Sequence, residues 1–255
     1  MLRSAKSILG YTLQASDGQI GRCKDFLFDD QTWTVRYLVA DTGKWIPKRK
    51  VLISPISVAG AEWKDHSVQV RLTRQQIADA PPLESDAPVS ARYVVDLSRY
   101  YAYPYYWLGD GLWGPAPSPL VLSQEALPFE RPVDEDAVVS HRGDDHLRSV
   151  DEVIGYEIEA KDGSLGHVDD FILDDVSWSL RYVVVKTRNW LPGRCVLASP
   201  AWVGDVSWRE RVARVDLTRS QLQDAPTYDP SQVVNRRYEE RLYDYYGRPA
   251  YWSNG

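Results

Sequence analysis

The chain has 255 residues, 44% of them hydrophobic and 26% charged, with a net charge of −6 and an isoelectric point near 5.3. That composition suits a soluble globular protein of one or two domains and argues against a general affinity for nucleic acid, which needs a basic surface. No apolar run approaches the length that spans a membrane, and Cys23 and Cys195 read as small buried apolar residues rather than a disulfide.

Met1 to Lys6 runs directly into patterned sequence, which leaves no room for a signal peptide and implies a cytosolic location. Gly10-Tyr11 opens a strand-like run, and Asp17-Gly18 supplies a tight hairpin turn. The next strand is Arg22 to Phe28, ended by the turn residues Asp29-Asp30. From Trp33 to Ala40 aromatic and β-branched residues alternate at period two, the β signature. Shorter strands fit Lys44-Trp45-Ile46, Lys50 to Ser54 and Val68 to Leu72. Thr73-Arg74-Gln75-Gln76 reads as a capping box that opens a short helix, which Pro81 ends. Val89, Tyr93, Leu97 and Tyr100 then share one helical stripe, and an aromatic stretch follows from Tyr100 to Trp107.

The whole pattern recurs without a gap at a constant offset of 145 residues (Asp17 to Asp162). Leu2-Arg3-Ser4 returns as Leu147-Arg148-Ser149, Arg36-Tyr37 as Arg181-Tyr182, Thr73 as Thr218, and Tyr106-Trp107 as Tyr251-Trp252. Trp45 and Pro47 return as Trp190 and Pro192. In the second tail Val234, Tyr238, Leu242 and Tyr245 form the stripe, stopped by Gly247 and Pro249. A period this long marks a duplicated domain rather than a solenoid of short repeats. Leu108 to Asp145 has no counterpart; its prolines, Pro115 to Pro132, make it an extended or irregular linker.

The ordered set Ile8-Leu9-Gly10, Asp17-Gly18, Ile20-Gly21, Asp25, Asp29 and the strand after Trp33 resembles a PRC-barrel domain, over roughly residues 4–81 and 149–226. That domain is a small β-barrel shared by the cytoplasmic part of the photosynthetic reaction-centre H subunit and a bacterial ribosome-maturation factor. The whole chain resembles the tandem bacterial form with Tyr/Trp-rich tails. The resemblance implies a docking or assembly module and brings no catalytic residue, cofactor or metal with it. The expected fold is therefore all-β: two small barrels related by a pseudo-twofold, each with a short helix and an aromatic-rich helical tail. The expected boundaries are 1–81 (first barrel), 82–107 (first tail), 108–145 (linker), 146–226 (second barrel) and 227–255 (second tail).

Several residues invite a chemical reading. Asp25 and Asp170 share an apolar strand face with Cys23 and Val168, so each needs a partner, for which Arg36 and Arg181 on the next strand are candidates. They read as buried polar anchors, or as perturbed carboxylates in a pocket. Asp29-Asp30 and Asp174-Asp175 read as turn residues. Gly109-Asp110-Gly111-Leu112-Trp113-Gly114 matches a dinucleotide fingerprint, but Pro115 follows where a helix should start, so the match reads as coincidence. Asp144-Asp145-His146 is a weak metal motif. The tail residues Tyr100, Tyr101, Tyr106, Trp107, Tyr245, Tyr246, Tyr251 and Trp252 suit stacking on bases or sugars, a protein interface, packing on their own barrel, or a meeting of the two barrels.

The reading that results is a non-catalytic module that docks a protein partner through its barrel surface and tails, with a homodimer as one form. A second reading is an RNA or ribosome-assembly factor, which calls for a basic patch such as Lys44, Lys48, Arg49 and Lys50. A third is a small-ligand binder or enzyme using Asp25 or Asp170. No membrane insertion is expected.

Overall fold

The computed structural model describes residues 1–47, 49–84, 87–124, 136, 139–140, 146–187 and 194–253. Lys48, Trp190, Pro192, His141, Asp144-Asp145 and the linker prolines Pro128 and Pro132 lie outside these. The first copy contributes strands β1 (Leu2–Ser4), β2 (Thr12–Ala15), β3 (Gly18–Asp29), β4 (Thr34–Asp41), β5 (Val51–Ile53), β6 (Val58–Glu62) and β7 (Ser67–Val70). Its helices are α1 (Ala5–Ile8), α2 (Arg74–Asp79) and α3 (Ala91–Tyr100), and α4 (Pro119–Gln124) follows. The second copy repeats the strands as β8 (Leu147–Ser149), β9 (Glu157–Ala160), β10 (Gly163–Asp174), β11 (Leu180–Thr187), β12 (Cys195–Ala198), β13 (Val203–Ser207) and β14 (Val212–Val215), and adds β15 (Thr227–Tyr228). Its helices are α5 (Val150–Val153), α6 (Arg219–Gln223) and α7 (Arg236–Tyr246).

The repeated motif sets local geometry. Ala15 pairs with Gly18 across a two-residue turn, and there Asp17 Oδ1 accepts the Arg74 amide at the start of α2 (2.8 Å). Asp162 does the same for Arg219 (2.7 Å). A Cβ on Gly21 would stand 2.0 Å from the Asp41 carbonyl oxygen, and one on Gly166 2.1 Å from that of Lys186. Only glycine permits so close an approach of the long strand to its neighbour. Both capping boxes form, Thr73 with Gln76 and Thr218 with Gln221. Gly247 ends α7 in the left-handed region (φ 59).

The chain divides into two compact units. The first comprises residues 7–150 and 176–179, the second residues 1–6, 151–175 and 180–255. In the first, the sheet runs β5-β4-β3-β2-β7-β6, with β8 paired to β3. Leu27 has Tyr37 of β4 on one side and Ser149 of β8 on the other, so β8 covers the length of β3 that the shorter β2 leaves open. In the second, the sheet runs β13-β14-β9-β10-β11-β12-β15, with β1 paired to β10. There Ile172 lies between Tyr182 of β11 and Ser4 of β1. The leading strand of each copy thus completes the sheet of the other, and leaves no unpaired edge at that place. The turn 176–179 also crosses over: in the first unit the Val35 amide donates to the Trp178 carbonyl (2.8 Å) and Thr34 bridges Ser179.

The expectation of an all-β protein with two closed barrels is overturned. The protein is mixed α/β, with open sheets of seven and eight strands. Strands β5 and β6 are opposite ends of the first sheet's main path, yet only residues 54–57 separate them. A flat six-strand sheet would hold its edges about 24 Å apart, too far for that link, so the sheet must curl. It stops short of closure where Ser54 caps a single 3-10 turn, begun by Pro55, that redirects the chain, and no ladder joins β5 to β6. Ser199-Pro200 form the same corner between β12 and β13. Bulges at Val58/Gly60 and Val203/Asp205 then blunt the outer strands β6 and β13. Lys44-Trp45-Ile46, expected as a strand, forms turns and bends instead.

Period two predicts one buried face for β4, but Thr34 to Ala40 are buried on both. Phe26, Phe28, Val35, Leu38 and Ile53 build the first core, and Ile158, Phe171, Tyr182, Leu197 and Leu222 the second. Cys23 and Cys195 are buried and form no disulfide; burial pushes the Cys23 thiol up to about 12, which disfavours its reactive thiolate.

Candidate functional site

Asp25 and Asp170 are placed by β3 and β10 where the exchanged strand arrives. Ser149 Oγ donates to Asp25 Oδ2 (2.5 Å), and Ser4 Oγ donates to Asp170 Oδ2 (2.5 Å). Asp170 Oδ1 also accepts the Lys6 amide (3.0 Å) and the Phe171 amide (2.7 Å). Burial is the largest influence on Asp170 and raises its carboxyl above the usual range; the bonds from Ser4, Lys6 and Phe171 pull the other way. Each aspartate therefore fastens the leading strand of one copy to the long strand of the other. The arginines serve different partners. Arg36 lies near Asp29 (4.0 Å) and Arg181 bonds Asp174 (3.3 Å). The neighbouring acids complete the fastening: Arg148 Nε donates to Asp30 (3.0 Å), and Arg3 Nε to Asp175 (2.8 Å). Asp30 also meets His146 Nδ1 (3.1 Å).

Arg36 is 2% exposed, although arginine is seldom buried without partners. Its guanidinium donates to the Leu112 carbonyl (2.5 Å) and to Thr32 Oγ1 (3.0 Å), with the rings of Tyr106 (4.1 Å) and Trp113 (4.9 Å) over it. Trp113 in turn donates its indole N–H to the Ser177 carbonyl (2.9 Å). The glycines that mimic a nucleotide fingerprint make this possible. A Cβ on Gly111 would stand 2.4 Å from the Ala116 carbonyl oxygen, and one on Gly109 2.7 Å from Gly114. They let the loop fold on itself and place Leu112 and Trp113 against Arg36.

The second unit keeps half of this arrangement: Tyr251, the counterpart of Tyr106, stacks on Arg181 (4.2 Å). It adds Glu239, which is 3% exposed. Tyr182 and Tyr251 hydroxyls donate to its Oε1 (2.8 and 2.9 Å), and Arg236 approaches its Oε2 (3.3 Å) while stacking on Trp252 (3.8 Å). Burial, then nearby Tyr243 and Glu239, pushes the Tyr182 phenol far up, so it remains a donor.

The tails accordingly pack on their own units. Tyr106 and Tyr246 are buried, the latter against Trp202 (4.6 Å). Tyr101 stacks on Tyr103 (5.3 Å), Trp107 meets Tyr106 edge-on (4.8 Å), and Tyr251 and Trp252 close over Arg236. Only the equivalent pair Tyr100 and Tyr245 stays substantially exposed among the eight, at 41% and 40%.

Two clefts open on the second unit. One, of about 490 Å³, lies between residues 227–235 and α7, walled by Tyr228, Val233 and Tyr238 and edged by Arg237 and Arg241. Tyr228 and Tyr238 meet edge-to-face at 6.4 Å, and burial pushes the Tyr228 phenol up to about 12. Asp229 at the rim is held by the Ser231 amide and hydroxyl, which keep its carboxyl below the usual range. The other, of about 470 Å³, carries charges that satisfy one another. Arg214 bonds Glu159, Asp205 and Glu210, while Lys161 and Arg248 share Asp216.

Among the described residues no group of three or more His, Cys, Asp and Glu side chains converges to hold a metal. No helix among them is long and apolar enough to cross a membrane. Arg49 donates to the Ala78 and Ala80 carbonyls (2.9 and 2.8 Å) and Lys50 to that of Ala87 (2.8 Å), while Lys44 is exposed. No protein-family model matches the chain, and no curated protein matches it. Sequence reasoning missed Ser4 and Ser149 as the partners of the aspartates, although both recur in register. It also missed Glu239, whose counterpart is Val94, and Arg241, whose counterpart is Asp96.

Proposed function

We propose that the chain is a non-catalytic docking module that binds a protein partner in the cytoplasm, the class of activity that the resemblance to tandem PRC-barrel proteins implies. One observation carries this reading: the groups that could do chemistry are bonded into the fold. Asp170 accepts three hydrogen bonds, Asp25 is tied to Ser149, and Arg36 is spent on Leu112, Thr32 and two rings. Among the tail aromatics, the pair that faces outward at matching positions of both copies is Tyr100 and Tyr245. Tyrosine is enriched in protein interfaces because it offers apolar area and a polar tip at small entropic cost. The RNA reading has less support, since Arg49 and Lys50 bond backbone carbonyls.

The test is capture of partners by the tagged chain from lysate of its own host, with and without RNase, beside the variant Tyr100→Ala/Tyr245→Ala. A protein that survives RNase and is lost with the variant supports docking, and a second copy of the chain would count as such a partner. Ribosomal components lost on RNase treatment would favour the RNA reading instead.

A further inference from the structure

We infer that the cleft beside α7 is where the partner is held, and that the partner presents an acidic segment carrying an apolar side chain. This rests on the docking reading above. The two copies differ here in charge. In the first, Arg92, at the position of Arg237, pairs with Asp136, and Asp96, at the position of Arg241, pairs with Arg99 (3.5 Å). In the second, Arg241 replaces the acid, and neither it nor Arg237 has an ion pair among the described residues. Two guanidinium groups one helical turn apart therefore stand at the edge of a cleft of about 490 Å³, in a chain whose net charge is −6.

The first copy illustrates the recognition proposed. Asp136, from the segment after α4, sits on the exposed arginine of the tail helix, and Val139, three residues on, packs against Val95 and Tyr105. In the second copy the apolar wall is Val233, 64% exposed, beside Tyr228 and Tyr238. An isolated side chain would gain little at exposed arginines. An acidic residue whose neighbour fills the cleft is held in place, and forked arginine donors match its carboxylate. The other cleft offers no such match, because Arg214, Lys161 and Arg248 are already neutralised by their own carboxylates.

The test selects short random displayed peptides against the immobilised full-length chain. Enriched peptides are then titrated by fluorescence anisotropy against wild type, Arg237→Glu/Arg241→Glu and the control Arg92→Glu. The enriched peptides should combine Asp or Glu with Leu, Phe or Tyr, bind more weakly as salt rises, and lose about 100-fold in affinity on the double reversal while Arg92→Glu leaves them unchanged. Circular dichroism of the double variant confirms that the fold is kept. Peptides that are not acidic, or that bind the double variant as tightly as wild type, would overturn the cleft assignment and leave the docking reading standing. No enrichment over an unrelated protein would count against both.

Discussion

Replacing Asp170 probes the fastening of β1 to β10. Asp170→Ala strands the amides of Lys6 and Phe171 and the Ser4 hydroxyl, which it bonds at 3.0, 2.7 and 2.5 Å. An orphaned buried donor costs about 1–3 kcal/mol, and removing a partly desolvated charge returns some of that, so the net loss should be about 3 kcal/mol. That is a large share of the roughly 5–15 kcal/mol that holds a typical domain. Asp170→Asn keeps Oδ1 for both amides and turns its NH₂ toward Ser4, whose hydroxyl can rotate to accept. It should cost about 1 kcal/mol or less at neutral pH. The pH dependence has a definite sign. Because burial raises the carboxyl above its ordinary value of 3.8, the folded state binds more protons than the unfolded one between that value and the raised one. Stability present below the ordinary value is lost as pH rises through the folded value, so the deficit of Asp170→Asn against wild type should shrink over that window. Urea unfolding followed by tryptophan fluorescence at several pH values measures all of this. If Asp170→Ala unfolds within experimental error of wild type, or Asp170→Asn is as damaging as Asp170→Ala, the fastening is not what these bonds suggest.

Other expectations follow from the same geometry. Ser149→Ala removes the bond to Asp25 and should cost about 1–2 kcal/mol, and Ser4→Ala about the same through Asp170; denaturant midpoints of both variants check this. Glu239→Ala removes the acceptor of the fully buried Tyr182 hydroxyl and frees Tyr251, so it should destabilise by about 3 kcal/mol and expose the stretch after Gly247 to protease, which a limited-digestion time course would show. Gly111→Ala forces a Cβ to within 2.4 Å of the Ala116 carbonyl oxygen and should cost about 2 kcal/mol. Its signature is faster hydrogen exchange at the Trp113 indole, now bonded to the Ser177 carbonyl.

The duplication, the capping boxes at Thr73 and Thr218, the aspartate turns and the stop at Gly247 were legible because each depends on residues close in sequence. The strand exchange was not, for a physical reason. Leu2-Arg3-Ser4 and Leu147-Arg148-Ser149 are the same tripeptide, and Asp25 and Asp170 are the same acceptor. Either pairing therefore satisfies the same hydrogen bonds, and no local rule separates them. Sequence reasoning expected closed barrels and missed that the sheets stay open, because closure turns on whether one three-residue strand, β5, ladders to β6 across the Pro55 corner. Arg36 was marked as a candidate partner for Asp25, whereas its guanidinium donates to the Leu112 carbonyl. Leu112 lies in a loop with no counterpart in the second copy, where three glycines matched a phosphate-binding string for a packing reason. The cationic edge of the cleft was readable in principle, since Asp96 aligns with Arg241, but only a structure places both arginines beside an open cleft.

The exchange itself is tested most directly by paired cysteines. Leu2 lies opposite Asp174 in the β1–β10 ladder, whereas its equivalent in an unexchanged arrangement would be Asp29. Antiparallel partners stand about 4.5–5.5 Å apart at Cα, within disulfide range. Under mild oxidation Leu2→Cys/Asp174→Cys should form a disulfide within a single chain, identified by mass spectrometry of the digest, and Leu2→Cys/Asp29→Cys should stay reduced. The opposite outcome, a bond from residue 2 to residue 29 and none to residue 174, would contradict the account.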